Sequence, residues 1–220
     1  MFVFVGENTT HSHLDTTNAP YLMGHLRPRS AWLTKHRATT HWSQANHVAL
    51  TSGRFTRCEQ QDYDAACHDD VDDLFHQLDV TGRTWTTWLE GGTAKCDRLR
   101  EHLPTPGSVP AHRLLHDRQS RDQLRELRGE GGVWSATNRS QECLQNDIYA
   151  GPEDAPRGDF DHALASGDVP AFNLVLPNGC EDGEGNCKPT NNRYRQFDDF
   201  LAREVPRTQR RLPSAPTASS

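Results

Sequence analysis

Phe2-Val-Phe-Val-Gly-Glu-Asn8 is the stretch on which the reading of the fold turns. Its four successive apolar residues are β-branched or aromatic and stop at a glycine. Such a run suits a parallel strand buried on both faces, whose carboxyl end delivers Glu7 and Asn8. Outward from it, residues 19–27 begin with Pro20 near a helix start and carry Tyr21, Leu22 and Leu26 at helical spacing, predicting a short helix. Residues 31–33 (Ala-Trp-Leu) read as a second strand. After Thr39-Thr-His-Trp-Ser43, residues 44–50 read as a helix stopped by Gly53, which places Ser43 at a helix N-terminus. Residues 69–78 combine an acidic first turn with Val71, Leu74, Phe75 and Leu78 on one face, a helix closed by Gly82. Residues 84–89 are rich in β-formers and predict a strand. Residues 97–158 lose the pattern, apart from a charged helical stretch near 117–128. Beyond them come a helix over 159–166 ended by Gly167, a buried strand over 170–176 ended by Pro177 and Asn178, and an amphipathic helix over 194–205. Strands alternating with helices define an α/β fold, a mostly parallel sheet flanked by helices. One domain over residues 1–206 and a disordered tail over 207–220, rich in Arg, Pro, Ser and Thr, follow from this pattern.

The chain has 220 residues and a net charge of −6 with both signs scattered, so no basic stripe exists to follow a phosphate backbone and nucleic-acid binding is not expected. No stretch approaches the roughly 20 apolar residues of a membrane span. Cys58, Cys67, Cys96, Cys143, Cys180 and Cys187 include no CxxC pair, which favours disulfides over a zinc ribbon and an extracellular or periplasmic location. The opening apolar run is shorter than a signal-peptide core and has no cleavage-like site after it, so either a leader lies upstream or the chain is not exported.

In open α/β sheets ligands gather beyond the carboxyl ends of the strands, where Glu7, Asn8 and the Ser43 turn all fall. A carboxylate and an amide oxygen can bind a divalent cation, and amide hydrogens at a helix N-terminus favour an anion. The bland alternative is a polar loop at Glu7 and Asn8 with Ser43 as an N-cap. The other histidines, His11, His13, His68, His76 and His162, form no metal motif and read as solvated. Asp69, Asp70, Asp72 and Asp73 lack the glycine and terminal glutamate of a calcium loop. Asn8-Thr-Thr10 and Asn138-Arg-Ser140 fit a glycosylation sequon short enough to arise by chance.

The run from Thr40 to Gly53, Thr-His-Trp-Ser-Gln-Ala-Asn-His-Val-Ala-Leu-Thr-Ser-Gly, resembles the nucleophile segment T-H-P-S-x-P-N-Y-x-A-L-x-S-G of bacterial phosphoesterases. That family of the alkaline phosphatase superfamily contains acid phosphatases and nonspecific phospholipases C. Four further blocks resemble it in order: Phe2 to Asn8, Ala19-Pro-Tyr-Leu22, Leu74 to Trp85 leading into Leu89-Glu-Gly91, and Asn173 to Cys187. The resemblance implies an alkaline-phosphatase-like fold and metal-dependent hydrolysis of a phosphomonoester or phosphodiester. The expected partner is a small phosphate ester or a phospholipid headgroup. Carried over, Ser43 is the nucleophile, Glu7, Asn8 and Ser43 hold a divalent metal ion, Asn46 holds a phosphoryl oxygen, and His41 contacts phosphate or leaving group. Asp182 matches an aspartate of the family's disulfide loop, but Glu184 stands where a histidine is usual. The family continues into another strand and an aspartate-rich block. Residues after Pro206 do not resemble these, so the fold is expected to be incomplete at its C-terminus and metal binding weakened. Asp198 and Asp199, on an amphipathic helix, are poor substitutes. The competing reading is a secreted, disulfide-braced remnant without catalysis that binds a partner or a phosphate-bearing ligand.

Overall fold

A computed structural model describes residues 1–55, 72–90, 147–151 and 158–210. Four strands, β1 (Phe2–Phe4), β2 (Trp85–Glu90), β3 (Asp147–Gly151) and β4 (Phe172–Leu176), form one sheet in the order β1-β4-β2-β3. All three pairings are parallel. Among the described residues four α-helices accompany them: α1 (Ser43–Ser52), α2 (Leu74–Val80), α3 (Asp159–Ser166) and α4 (Arg193–Gln209).

Strand alternation divides the core into two layers. On one face Trp85, Leu89, Phe172, Leu174 and Leu176 pack with Phe75 of α2, joined by Val3 and Val5. On the other, Trp88 and Val175 pack with Phe160 and Leu164 of α3 and with Phe200 and Leu201 of α4, joined by Phe2 and Phe4. With helices on both faces, the apolar run of β4 is buried throughout, while β1, at the end of the described sheet, is half-buried. Asn173, completely buried, knits the middle of the sheet. Its amide donates to the Met1 and Pro170 carbonyls at 3.2 and 2.7 Å and accepts from the Trp88 indole at 2.9 Å. The mostly parallel sheet flanked by helices is therefore as the sequence pattern predicts.

Several local readings need correction. Residues 31–33 form no strand: Leu33 is exposed, and among the described residues no strand pairs with the segment, so β-propensity alone does not make one. Residues 72 and 73 precede α2 rather than belonging to it, because Asp73 is its N-cap and accepts from the Phe75 and His76 amides at 2.8 and 3.0 Å. The segment read as irregular contains β3. Residues 19–27 are helical, but as a π-helical turn at Leu22–Leu26 followed by a 3-10 turn at Arg27–Arg29. Buried Asp198 of α4 caps that segment, accepting from the Tyr21 and Leu22 amides at 2.9 and 2.7 Å.

Helix α4 also runs through Pro206 to Gln209, so the boundary at residue 206 falls inside a helix. Its last turn is anchored by Arg207, which pairs with Glu204 and Asp161, and by buried Thr208. Residues 211–220, the helical stretch near 117–128, and Cys58, Cys67, Cys96 and Cys143 lie outside the described residues.

Candidate functional site

The site is assembled where β1 and β4 end. Beyond β1 the Val5 amide still donates to Val175 at 3.3 Å, and two residues later the Glu7 amide donates to the Asp182 carbonyl at 2.6 Å. Glu7 is thereby carried past the sheet edge yet stays buried. Gly6 is required on the way, since a Cβ there would lie 2.6 Å from the Phe197 ring. Asn8 then turns the chain outward with φ +48°, a left-handed conformation that asparagine tolerates.

Helix α1 brings the second part. Residues 39–42 are clamped by Asn46, whose Oδ1 accepts from the Thr39 amide, the Thr39 hydroxyl and the Thr40 amide at 2.9, 2.8 and 3.2 Å. Its two amide hydrogens go to the Thr40 and Trp42 carbonyls at 2.7 and 3.0 Å. Trp42 is the extended residue before the helix, and Ser43 its first residue. The Ser43 side chain caps nothing. Its hydroxyl donates to Glu7 Oε2 at 2.8 Å, while His47 Nε2, one turn further on, lies 2.9 Å from Glu7 Oε1. Spacing of four places Ser43 and His47 on one helix face, so a single carboxylate receives both.

The Cys180–Cys187 disulfide closes the third part, a loop that supports Glu7 from behind. Gly183 has φ +98°, and a Cβ on it would lie 2.8 Å from the Glu7 carbonyl, so only glycine fits. Asp182 is completely buried; Oδ1 accepts from the Glu184 amide at 2.7 Å and Oδ2 has no partner. Burial first, and then the charges of Glu7 and Glu184, push the Asp182 carboxyl up to about 8. Replacing both Cys180 and Cys187 by serine is expected to lower unfolding free energy by about 2–3 kcal/mol, the loop-closure value for so short a span. Urea denaturation monitored by circular dichroism measures it, and no loss would mean that the loop is held without its bridge.

A charged cluster flanks the site at the end of β2. Arg203 of α4 reaches Glu90 at 3.2 Å and Glu181 at 2.8 Å, and its Nε donates to Glu204 at 2.8 Å. Glu90 also accepts from the Asn178 amide and side chain at 3.2 and 3.1 Å. Burial, followed by the charge of Glu181, pushes the Glu90 carboxyl up to about 9 against the pull of Arg203. A carboxyl that holds its proton more tightly folded than unfolded stabilises the fold fully below about 4.5, and that contribution is lost as the pH rises through about 9. Asp182 acts in the same sense. Thermal melts should therefore show stability falling from pH 5 to pH 9 by on the order of a few kcal/mol, with Glu90→Gln removing the larger part of the decline. An equally steep decline in Glu90→Gln would contradict this.

Of the residues singled out from sequence, Ser43 and Glu7 come together. His41 is exposed. Asn8 is exposed too, and among the described residues no hydrogen bond joins its side chain to Glu7 or Ser43. Asn46 meets the loop before Ser43 with its whole amide. No group of three His, Cys, Asp or Glu side chains converges to hold a metal ion among the described residues. His47 was not among the expected site residues; its signal is the spacing of four from Ser43, at a position where the resembled pattern carries tyrosine. No described helix is long and apolar enough to cross a membrane. Comparison of the chain with protein-family models, curated proteins and solved structures found no match.

Proposed function

We propose that this chain, on an alkaline-phosphatase-like α/β fold, hydrolyses phosphate esters through Ser43. The observation that carries the proposal is the 2.8 Å hydrogen bond from the Ser43 hydroxyl to the buried Glu7 carboxylate, made at the N-terminus of α1 and beyond the carboxyl ends of parallel strands. Glu7 takes the hydroxyl proton as Oγ attacks phosphorus. The amides of the first turn of α1 face the negative phosphoryl group. The O–P bond to Ser43 forms, the bond to the leaving alcohol breaks, and that alcohol takes up a proton. Water then hydrolyses the phosphoserine.

Glu7 and Ser43 would hold a hard divalent cation through a carboxylate and a hydroxyl oxygen, and among the described residues no third His, Cys, Asp or Glu side chain joins Glu7 and His47 there. When bound, such an ion lowers the pKa of the serine hydroxyl and neutralises charge on the phosphoryl group. His41, exposed and two residues before Ser43, is the candidate for contacting phosphate or leaving group, and Asn46 acts by holding the loop that presents Ser43. A small phosphate ester or phospholipid headgroup is the substrate class. The Cys180–Cys187 bridge supports an extracellular or periplasmic location.

Release of nitrophenol from chromogenic phosphomonoester and phosphodiester substrates tests the proposal. Wild type should turn over at least one of them, and Ser43→Ala should lose about 10³-fold or more. A chelator should suppress turnover, with restoration by added divalent ion. Turnover by Ser43→Ala would remove the serine from the mechanism, and no turnover in any form would favour a binding module for phosphate-bearing ligands.

A further inference from the structure

We infer that His47 is a positioning residue that orients the Glu7 carboxylate toward Ser43. In its kinetic part this rests on the phosphate-ester reading; in its geometric part it does not.

A glutamate carboxylate turns easily about its last torsion, whose energy profile is broad. Ser43 meets one of its two oxygens, Oε2, at 2.8 Å. His47 meets the other, Oε1, at 2.9 Å, which favours the rotation of the carboxylate that leaves Oε2 facing Ser43. Both partners of the histidine contact are only 6% exposed, so bulk water does not readily replace the imidazole.

The unpaired ring nitrogen shows which way the bond runs. His47 Nδ1 is buried without a partner. With the hydrogen on Nε2, the buried Nδ1 presents a lone pair and not an orphaned N–H, and Nε2 donates to the acceptor-only carboxylate. The other tautomer would set two acceptors against each other at 2.9 Å and bury an unpaired donor.

Ser43 and His47 also ride on the same rigid helix, one turn apart. Any shift of α1 against the sheet therefore moves both contacts together and keeps Glu7 aligned with the hydroxyl. A residue that merely filled space would need no donor at this place.

Full-length His47→Gln and His47→Leu test the inference, since the glutamine amide reaches about as far as Nε2 and leucine offers no donor. In His47→Leu, kcat is expected to fall about 10–100-fold, the usual cost of losing an orienting partner, with KM within about twofold. His47→Gln should recover most of that loss. Crystal structures should show the Glu7 carboxylate more than about 3.5 Å from Ser43 Oγ in His47→Leu and in contact in His47→Gln. The inference is overturned if His47→Leu keeps that contact, or if glutamine is as impaired as leucine. Should His47→Leu fail to fold, His47→Asn, whose shorter amide falls short of Glu7, takes its place with the same expected outcomes. Should wild type turn over no phosphate ester, the phosphate-ester reading falls, and the Glu7 to Ser43 separation in the donor-free variant alone decides the role of His47.

Discussion

Phe200→Ala should cost about 3–5 kcal/mol of unfolding free energy, the range for deleting a buried aromatic ring. Phe200 is 2% exposed at the centre of the layer between the sheet and α4. Its ring meets Phe4 edge-on at 5.9 Å and stacks on Phe197 at 6.3 Å, with the Arg203 guanidinium 5.3 Å from its centre. Those neighbours are poorly able to close the resulting void. Phe4 is fixed in the ladder with β4, Phe197 lies against Gly6, and Arg203 is tied to three carboxylates. The cost therefore belongs near the top of the range. Chemical denaturation measures it directly, and a loss below about 1 kcal/mol would mean that the layer collapses freely and is less tightly packed than its ring contacts imply.

The second large effect concerns the proposed phosphate-ester hydrolysis. Glu7→Gln preserves shape but replaces one accepting oxygen by a donor, so Ser43 and His47 can no longer both donate to it. Turnover of the chromogenic ester should fall about 10²–10³-fold, the scale of losing one preorganised electrostatic contact at the reacting atoms. Combined with Ser43→Ala it should cost no more than Ser43→Ala alone, because groups that act as a unit are not additive. Additive losses would mean that Glu7 serves the reaction elsewhere, and an unaffected rate would remove it from the mechanism.

Continuous apolar runs made two strands legible, the fully buried β4 and the half-buried β1. Glycine marked helix ends just as plainly, with Gly53 and Gly167 at φ +67° and +82° after α1 and α3. Strand β3 escaped because Asp147-Ile-Tyr-Ala-Gly151 is short, opens on a charge and lies in a polar stretch; its strand character comes from pairing with β2. The opposite error at residues 31–33 has the same origin, since β-formers make a strand only where a ladder is available. At Pro206 the helix continues despite the local rule, its last turn held by the Arg207 pair with Glu204 in the same helix and the long-range pair with Asp161. In the site, the meeting of Glu7 and Ser43 was legible because a strand tip and a helix start have fixed places in an α/β sheet. Which oxygen each donor takes, the commitment of Asn46 to its own loop, and the sharing of Arg203 among Glu90, Glu181 and Glu204 depend on three-dimensional packing that no spacing encodes.

The strand order β1-β4-β2-β3 has a consequence for synthesis on the ribosome. Strand β1 pairs with β4, a segment about 170 residues later that slots between it and β2, a closure of long range and correspondingly slow. Until then the tip bearing Glu7 has neither a ladder beneath it nor the bridged loop behind it. In a half-made chain the Glu7 tip is therefore unsupported, and the aromatic residues of β1 are exposed to whatever chaperone is at hand.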